Sequence, residues 1–434
     1  EGDGRRLRHR NVPGLNARYY LREMRTMLDH ATNELLTRVG PNTPCGDLLR
    51  RYWHPVGYSS ELAEPGQTKQ VRVLGEDLVL ARTEGGDVLL VQERCPHRGA
   101  SLLYGFVEGE KIRCAYHGWL YNAAGECVER PFESAKASRV CKKMIDSYAT
   151  HECGGLIFAY MGPAEHKPAF PNWDILVRND GVRHFEVQDD LACNWFQVQE
   201  NAVDVTHTFY THSKYFEHLG MTDRSGFGKP FKRFGFQRFD WGIVKSWEYA
   251  SAGRGWGNLM VFPNMLRIMT EMHWRVPVDD TTTRIVWVSF KPSADGAAVT
   301  ASEAPKIVQQ PKRTDVAGRY LMDTFMSQDA MAVETQGPIL DRSRENLGAS
   351  DRGIVMFRQM LQEQIEAVAR GERPVANVYG AAPEVTDLRQ WMGGYLPMSC
   401  EPDPTFRQSR EFSDIFDDSH IEYEIPATSP AMRG

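Results

Sequence analysis

The sequence of 434 residues contains no apolar run near the roughly 18 residues that a membrane-spanning helix requires. Its formal net charge of −6 gives no general attraction for nucleic acid or for an anionic lipid surface. A G-x-G-x-x-G fingerprint following a strand is also missing. We therefore expect no membrane or nucleic-acid partner, and no dinucleotide site in this chain.

Cysteine is sparse, with 8 residues in a chain long enough for about two or three domains. A chain of this size does not need a disulfide framework. The basic amino terminus also lacks the apolar stretch that directs secretion. We expect a cytoplasmic protein, in which a close grouping of cysteine and histidine binds metal.

The distribution of turn signals indicates short strands first and a mixture of elements later. Clustered or alternating β-forming residues run through 71–83 and 87–95, broken by Gly-Glu-Asp and Glu-Gly-Gly-Asp turns. The later part combines further strands with helices predicted around 200–219, 314–335 and 354–369. The predicted fold class is α+β.

A segment with two prolines, EHKPAFPNW, is a plausible linker between two domains. We predict an N-terminal extension over residues 1–32 and an all-β domain over 33–165. Residues 166–434 are predicted to form an α+β domain, in which helices flank an antiparallel sheet, together with a C-terminal tail.

Two loops of the all-β part each contain one cysteine and one histidine. Cys95, His97, Cys114 and His117 form the pattern C-x-H-x16-C-x2-H. Two thiolates on one iron and two imidazoles on the other are the ligand set of a Rieske [2Fe–2S] cluster. The alternative is a zinc site with the same four ligands, although zinc modules usually pair like ligands along the sequence.

A second group of candidate ligands, Asp204, His207 and His212, has the spacing D-x2-H-x4-H. On a helix, Asp204 and His207 share a face because they are three residues apart. His207 and His212 would point about 140° apart at roughly 100° per residue. We therefore expect the helix to bend, to take a π-type turn or to end near His212. Two histidines and one carboxylate form the facial triad of non-haem Fe(II) oxygenases.

These motifs resemble those in the oxygenase (alpha) component of Rieske non-haem iron aromatic-ring-hydroxylating oxygenases. The resemblance is carried by CPHRGASLLYGFVEGEKIRCAYHGW, ENAVDVTH and QDAMAVETQGPILDRSRE, and it extends over residues 33–369. RRYWHPVGYSSEL and GLIFAYMGP are similar to the phthalate 4,5-dioxygenase and dehydrodivanillate O-demethylase type within that family. The all-β part would then be the Rieske domain, and the α+β part the catalytic domain.

The resemblance implies roles for the residues around the second motif. His207 and His212 would bind the mononuclear Fe(II). Asp204 would bridge, through hydrogen bonds, a histidine ligand of this iron and His117 of the adjacent subunit. Asn201 corresponds to a residue near the iron.

The third iron ligand is expected to be a carboxylate further along the chain. Asp329 follows a glutamine in a predicted helix that ends before a Gly-Pro pair, and the resemblance implies that it binds the iron. The rival carboxylates in this stretch are Asp323, Glu334 and Asp341.

The resemblance also implies the reaction. The chain would be a terminal oxygenase that uses O₂ and NADH-derived electrons to hydroxylate or O-demethylate an aromatic, carboxylated or methoxy-substituted substrate. The alternatives are cis-dihydroxylation by a phthalate-type dioxygenase and, from another class, an electron carrier without oxygenase activity. A carrier needs neither this length nor the second motif.

The resemblance implies partners as well. A separate NADH-dependent reductase, with or without a ferredoxin, would supply electrons. A head-to-tail homotrimer or a stacked pair of trimers is expected, since such rings are closed assemblies. An anionic substrate would need a cationic side chain near the iron. Lys245, Arg254 and Arg267 are candidates for this role, and the sequence favours none of the three.

Overall fold

A computed structural model describes residues 27–134, 142–221, 230–249, 255–299, 305–392 and 421–424. The helices are α1 (His30–Thr37), α2 (Pro44–Leu49), α3 (Asp174–Val177), α4 (Trp195–Val203), α5 (Tyr215–His218), α6 (Phe325–Glu334) and α7 (Arg352–Ala369). A π-helical segment, Thr208–Lys214, precedes α5. Among the described helices, none has both the length and the apolar character needed to cross a bilayer.

The first part of the chain forms two antiparallel sheets. Their strands are β1 (Trp53–Tyr58), β2 (Thr68–Val73), β3 (Glu76–Arg82), β4 (Val88–Gln92), β5 (Phe106–Glu108), β6 (Lys111–Arg113), β7 (Leu120–Asn122), β8 (Glu126–Glu129), β9 (Lys142–Lys143), β10 (Ser147–Cys153) and β11 (Leu156–Tyr160). One sheet has the order β1-β11-β10-β4-β3-β2 and the other β5-β6-β7-β8-β9. The hairpins β2–β3 and β3–β4 confirm the predicted turns.

The second part is built on one large sheet. Its strands are β12 (Gly181–Val187), β13 (Phe231–Phe239), β14 (Gly242–Tyr249), β15 (Gly255–Val261), β16 (Met265–Ile268), β17 (Glu271–Asp279), β18 (Thr282–Pro292), β19 (Lys306–Gln309) and β20 (Ile421–Glu424). Their order is β19-β12-β18-β17-β16-β15-β14-β13-β20, antiparallel except between β12 and β19. Helix α4 packs on β16, β17 and β18, and α7 packs on β13 and β14. The predicted α+β class, with helices against an antiparallel sheet, is confirmed.

A buried ion cluster joins helices that are distant in sequence. Glu200 of α4 accepts hydrogen bonds from Arg342 Nη2 (2.6 Å) and from Arg358 Nε of α7 (2.7 Å). Arg342 Nη1 also donates to Asn33 Oδ1 of α1 (3.1 Å). Removal of one member of a buried pair leaves an uncompensated charge, which costs about 3–5 kcal/mol. The cluster therefore holds α4, which leads into the second motif, against α1 and α7.

The helices predicted around 200–219 and 354–369 are present, but the first half of the helix predicted over 314–335 is wrong. The carboxylate of Asp315 accepts the backbone N–H groups of Ala317 and Arg319 (2.9 Å each) and so stabilises a turn there. Helix α6 begins only at Phe325, where the Thr324 hydroxyl caps it. The prediction for the tail beyond residue 373 falls largely outside the described residues.

Candidate active site

The two loops with cysteine and histidine have nearly the same backbone conformation. Gly99 N–H donates to Cys95 O (2.8 Å) in one, and Gly118 N–H donates to Cys114 O (3.0 Å) in the other. Each cysteine N–H donates to the carbonyl five residues further on (2.9 Å in both loops). The two glycines have φ of +75° and +72°, a conformation that other residues adopt only with strain. The loops extend from β4 and from β6, and the similar turns present their side chains to each other.

The four candidate cluster ligands divide into an inner and an outer pair. Cys95 and Cys114 are 1% and 3% exposed, whereas His97 and His117 are partly exposed. The centroids of the two imidazole rings lie 4.5 Å apart, and the His97 ring stacks on Trp119 at 4.6 Å. Two sulfurs inside and two imidazoles near the surface fit a two-iron cluster with unlike ligands on each iron.

The donors do not converge as a single zinc ion would require. Bonds of about 2.0–2.3 Å would bring tetrahedral zinc ligands within roughly 4 Å of one another. Among the described residues, the only three side chains whose donor atoms lie within 4.8 Å of one another are His207, His212 and Asp329. The four cluster candidates form no such group. Burial raises the pKa of the Cys95 thiol, and the nearby Cys114 sulfur raises it further. Positive iron beside both sulfurs would favour their thiolate forms, so the residues fit the [2Fe–2S] group.

The second motif begins where helix α4 ends. Asp204 directly follows α4 as its C-cap, and His207 directly precedes the π-helical segment that contains His212. In a π-helix the hydrogen bonds join residues five apart, so His207 and His212 come to the same side. The centroids of their rings lie 5.2 Å apart. The irregular helix predicted from the five-residue spacing is confirmed.

Asp329 of α6 completes a group of three donors. Its Oδ1 lies 3.7 Å from His207 Nε2 and 3.4 Å from His212 Nε2. One donor atom from each of these three residues lies within 4.8 Å of the others. Asn201 Nδ2 donates to the same Asp329 Oδ1 (3.3 Å). Two imidazoles and a carboxylate in this arrangement fit the facial triad that holds Fe(II) and leaves coordination positions open.

The rival carboxylates are not in this group. Asp323 is exposed. Glu334 accepts hydrogen bonds from Ala192 N–H (2.7 Å) and from the Tyr320 hydroxyl (2.8 Å). Asp341 is exposed, and its Oδ1 accepts the Ser343 N–H (3.1 Å) within its own turn. The geometry thus favours Asp329 over all three.

Each histidine of the triad has a hydrogen-bonding or charged neighbour on its other ring nitrogen. His212 Nδ1 donates to Gln328 Oε1 (2.8 Å), and Gln328 Nε2 donates to Met322 O (2.8 Å). His207 Nδ1 lies 3.5 Å from Asp204 Oδ2. Burial lowers the pKa of His212, which favours the neutral imidazole that metals bind. The sequence analysis did not select Gln328, although it directly precedes Asp329.

Asp204 faces both inward and outward. Its Oδ1 accepts hydrogen bonds from the Thr206 N–H (2.7 Å) and hydroxyl (3.0 Å), and its side chain is 20% exposed. Burial tends to raise the pKa of Asp204, but His207 and the Thr206 hydrogen bonds lower it below its usual value. Among the described residues, Asp204 and His117 make no contact within one chain.

A cavity of about 470 Å³ opens beside the triad. The large sheet lines one side and α4, the π-helical segment and α6 line the other. Its aromatic and aliphatic walls include Leu191, Val198, Trp247, Tyr249, Leu266, Ile268, Ile285, Trp287, Phe325 and Val333. His207, His212 and Asp329 also line it. Volume and lining are those of a site for a drug-sized organic molecule.

The cations considered for an anionic substrate have different surroundings. Lys245 lines the cavity. Arg267 instead lies in the core, where its Nη2 donates to Asp174 Oδ2 (2.7 Å). Arg254 lies outside the described residues. The sequence analysis missed Arg275, which also lines the cavity, and its signal is the E-x-H-x-R alternation along β17.

The two donor groups and the adjacent cavity define the class: an oxygenase with a Rieske cluster and a mononuclear iron. The family model of the Rieske [2Fe-2S] domain matches residues 52–149. A second model, described as LigXa C-terminal domain like, matches residues 306–393. The matches cover segments of both parts of the fold.

Similarity to known proteins defines the family. The chain is 36% identical over 358 residues to the 5,5'-dehydrodivanillate O-demethylase oxygenase subunit of a Sphingobium species, covering 81% of this chain and 83% of that protein. It is 32% identical to the phthalate 4,5-dioxygenase oxygenase subunit of Pseudomonas putida, covering 82% and 90%. The chain therefore belongs to the family of Rieske oxygenase subunits, which are enzymes that use a [2Fe–2S] cluster and non-haem Fe(II).

A solved structure agrees with this fold. The Pseudomonas putida CBB5 NdmA structure with caffeine superimposes with a TM-score of 0.57 at 20% identity, covering 75% of this chain and 94% of that one. Because the relatives named above are oxygenase subunits, the chain is the oxygenase component of a multicomponent system, and separate proteins supply its electrons.

Proposed function

We propose that this chain hydroxylates or O-demethylates an aromatic acid, with O₂ and with electrons that a separate reductase takes from NADH. The observation that supports this most directly is the position of His207, His212 and Asp329 in the wall of an aromatic-lined cavity. A metal there would face the substrate. The two relatives named above are the oxygenase subunits of a 5,5'-dehydrodivanillate O-demethylase and of a phthalate 4,5-dioxygenase.

In this proposal Cys95 and Cys114 hold one iron of the cluster, and His97 and His117 hold the other. The buried sulfurs and the partly exposed imidazoles support this division. The exposed histidine side is where an electron donor can approach. The donor would be the NADH-dependent reductase itself or a ferredoxin between the two.

His207, His212 and Asp329 would hold the mononuclear Fe(II), which supplies redox chemistry for O₂ activation. Gln328 keeps His212 Nε2 pointed at the site, since its Oε1 accepts a hydrogen bond from His212 Nδ1–H. Asn201 orients the Asp329 carboxylate by donating to Oδ1. The aromatic walls position the substrate ring beside the triad and exclude water.

Asp204 would connect the two centres across a subunit interface. Its side chain is partly exposed and lies next to His207. His117 is also partly exposed, in the loop that follows β6. Because the two residues make no contact within one chain, a bridge between them needs a second copy. A head-to-tail homotrimer, alone or stacked in pairs, provides such a contact at every interface.

The domain division and location are part of the same proposal. We assign residues 1–32 to an N-terminal extension, 33–165 to the Rieske domain and 166–434 to the catalytic domain. The match to the Rieske family model lies within the second of these ranges. Among the described cysteines none forms a disulfide, which fits the reducing cytoplasm.

The test is product analysis with the purified chain, a surrogate reductase and NADH. A panel of aromatic acids and methoxyaromatics is supplied, and formaldehyde, phenols and cis-diols are measured. Formaldehyde or a hydroxylated acid is the expected product. A cis-diol product would contradict this proposal and favour cis-dihydroxylation. If no compound of the panel gave a product, an electron carrier would be favoured instead.

Matched variants on one segment make the test specific for the iron site. Asp329→Ala should abolish product formation, because it removes a proposed iron ligand. Asp323→Ala, an exposed carboxylate six positions earlier, should retain activity. Equal activities of the two variants would contradict the ligand assignment.

A further inference from the structure

Strand β17 presents three polar side chains to the cavity. Glu271, His273 and Arg275 alternate along the strand, so all three point to the same face of the sheet. His273 and Arg275 are 9% and 5% exposed. A cavity wall that is largely aromatic and aliphatic thus contains a row of groups that are costly to bury without partners.

Arg275 is the least satisfied member of this row. Its Nε is buried and has no hydrogen-bond partner among the described residues. Its Nη1 reaches only the His273 carbonyl of the same strand, at 3.3 Å. Burial lowers the pKa of Arg275 to about 10, although the charge of Asp329 opposes this shift, and the group stays cationic at neutral pH. A buried guanidinium without a carboxylate is unusual, since desolvated charges are normally paired.

Arg342 shows how this protein satisfies an arginine in its core. Its guanidinium is fully buried and donates to Glu200 through Nη2 at 2.6 Å. For Arg275 no ion pair with a carboxylate occurs within the described part of the chain. The difference is the cavity, which Arg275 lines and Arg342 does not. A group in the cavity can supply the missing anion.

Lys245 of β14 is a second cation in the same cavity. Its side chain is 4% exposed, and Nζ donates to the Asp204 backbone carbonyl at 3.1 Å. One hydrogen bond to a carbonyl leaves two of its three N–H donors available. Within the described residues it too has no ion pair with a carboxylate.

Glu271 does not neutralise these cations. Its carboxyl lies 3.4 Å from His273 Nε2, at the other end of the row from Arg275. Burial, followed by the charge of Glu186, raises the pKa of Glu271 to about 8, although Arg267 lowers it. The group is therefore mostly protonated at neutral pH and can donate a hydrogen bond. Asp329 is a second carboxylate of the cavity, and its charge acts on both Arg275 and Lys245. Among the described residues it forms no ion pair with either cation, and it is a proposed iron ligand.

We propose that Arg275 and Lys245 bind a carboxylate of the substrate and make this chain select aromatic acids over their neutral analogues. The inference rests on the proposed function, and it names the residues that would recognise the acid group of that substrate. Arginine can grip a carboxylate with two parallel N–H···O bonds, and lysine can add a third. The aromatic walls then hold the ring, with the reacting substituent toward His207, His212 and Asp329.

The test measures binding and needs no turnover. Anaerobic calorimetry without reductant compares 3-methoxybenzoate with 3-methoxybenzamide, which differs mainly in charge. The wild-type chain should bind the acid about tenfold to a hundredfold more tightly than the amide. Arg275→Met should lose most of that preference while it binds the amide as the wild type does. Arg275→Lys should recover part of the preference.

Arg284→Met is the matched control. Arg284 lies on the neighbouring strand β18, is partly exposed and pairs with Asp190 (2.7 Å) away from the cavity lining. The control should keep the wild-type preference. Lys245→Met provides a second variant on the proposed site, with an expected partial loss of preference.

Several results would overturn the inference. Equal binding of acid and amide by the wild type would do so without any variant, as would undetectable binding of the acid. Equal losses for both ligands in Arg275→Met would assign the residue a structural role. Product formation without acid preference would leave the oxygenase proposal intact, whereas acid preference without any product would contradict only that proposal.

Discussion

Replacement of Gln328 should weaken metal binding at the mononuclear site and leave the cluster unchanged. The side-chain amide of Gln328 is held at both ends: Nε2 donates to Met322 O, and Oε1 accepts from His212 Nδ1, each at 2.8 Å. This arrangement puts the His212 proton on Nδ1 and leaves the Nε2 lone pair facing Asp329. Gln328 is fully buried, so water cannot easily replace it.

Gln328→Leu keeps a similar volume but removes the acceptor for His212. The loss of such a hydrogen bond to a metal-binding histidine typically lowers metal affinity about 10–100-fold. That range corresponds to about 1.4–2.7 kcal/mol. The His212 ring can then rotate or change tautomer, so less of the population presents Nε2 to the metal. Gln328→Glu retains the acceptor oxygen and should bind metal at least as well as the wild type.

The assay removes the mononuclear metal with a mild chelator and then titrates Fe(II) back under anaerobic conditions. Visible absorption monitors the cluster in the same sample. We expect the dissociation constant for Fe(II) to rise in Gln328→Leu alone. The cluster absorption should be the same in the wild type and in both variants. An unchanged constant in Gln328→Leu, or an equal rise in Gln328→Glu, would refute this reasoning.

Three further predictions concern the cluster, the bridge and the buried ion cluster. Cys95→Ser should abolish the visible absorption of the cluster, and an unchanged spectrum would defeat that assignment. Asp204→Asn should keep both metals but slow electron transfer between them at least tenfold in rapid-mixing experiments; normal reoxidation of the cluster would exclude the bridge. Glu200→Gln should cost about 3–5 kcal/mol in urea unfolding at neutral pH, because Arg342 loses its carboxylate and Arg358 keeps only Glu345. Burial opposes the low pKa of Glu200, but the two arginines lower it overall, so its contribution is complete above the unfolded value of about 4.3. The difference between the proteins should shrink as the pH falls below that value, and a constant difference would contradict the account.

The chemistry of the ligands made much of the candidate site predictable. Cysteine and histidine at C-x-H and C-x2-H spacing restrict the possibilities to a few metals. The five-residue separation of His207 and His212 excludes a regular helix around a common metal, and the π-helical segment satisfies this geometric requirement. The spacing of the ligands and the geometry of a helix were therefore enough to predict both groups of metal ligands from the sequence.

Other features depend on contacts that no local pattern contains. The E-x-H-x-R alternation of β17 indicates a common face, but only the assembled sheet shows that this face lines the cavity. There the Arg275 Nε has no hydrogen-bond partner among the described residues. Lys245 and Arg267 are both basic residues of strands, yet one lines the cavity and the other pairs with Asp174 in the core. The wrongly predicted helix before Phe325 has a local origin instead, since a hydrogen-bonded turn at Asp315 competes with helical propensity.

Anomalous diffraction from an anaerobically grown crystal tests the central claim most directly, that one chain holds two different iron centres. Data above and below the iron absorption edge should show an elongated two-iron peak between the Cys95 and Cys114 sulfurs and the His97 and His117 rings. A separate single-iron peak should lie among His207, His212 and Asp329. Zinc at the cysteines, or no iron between the second pair of histidines, would contradict the account.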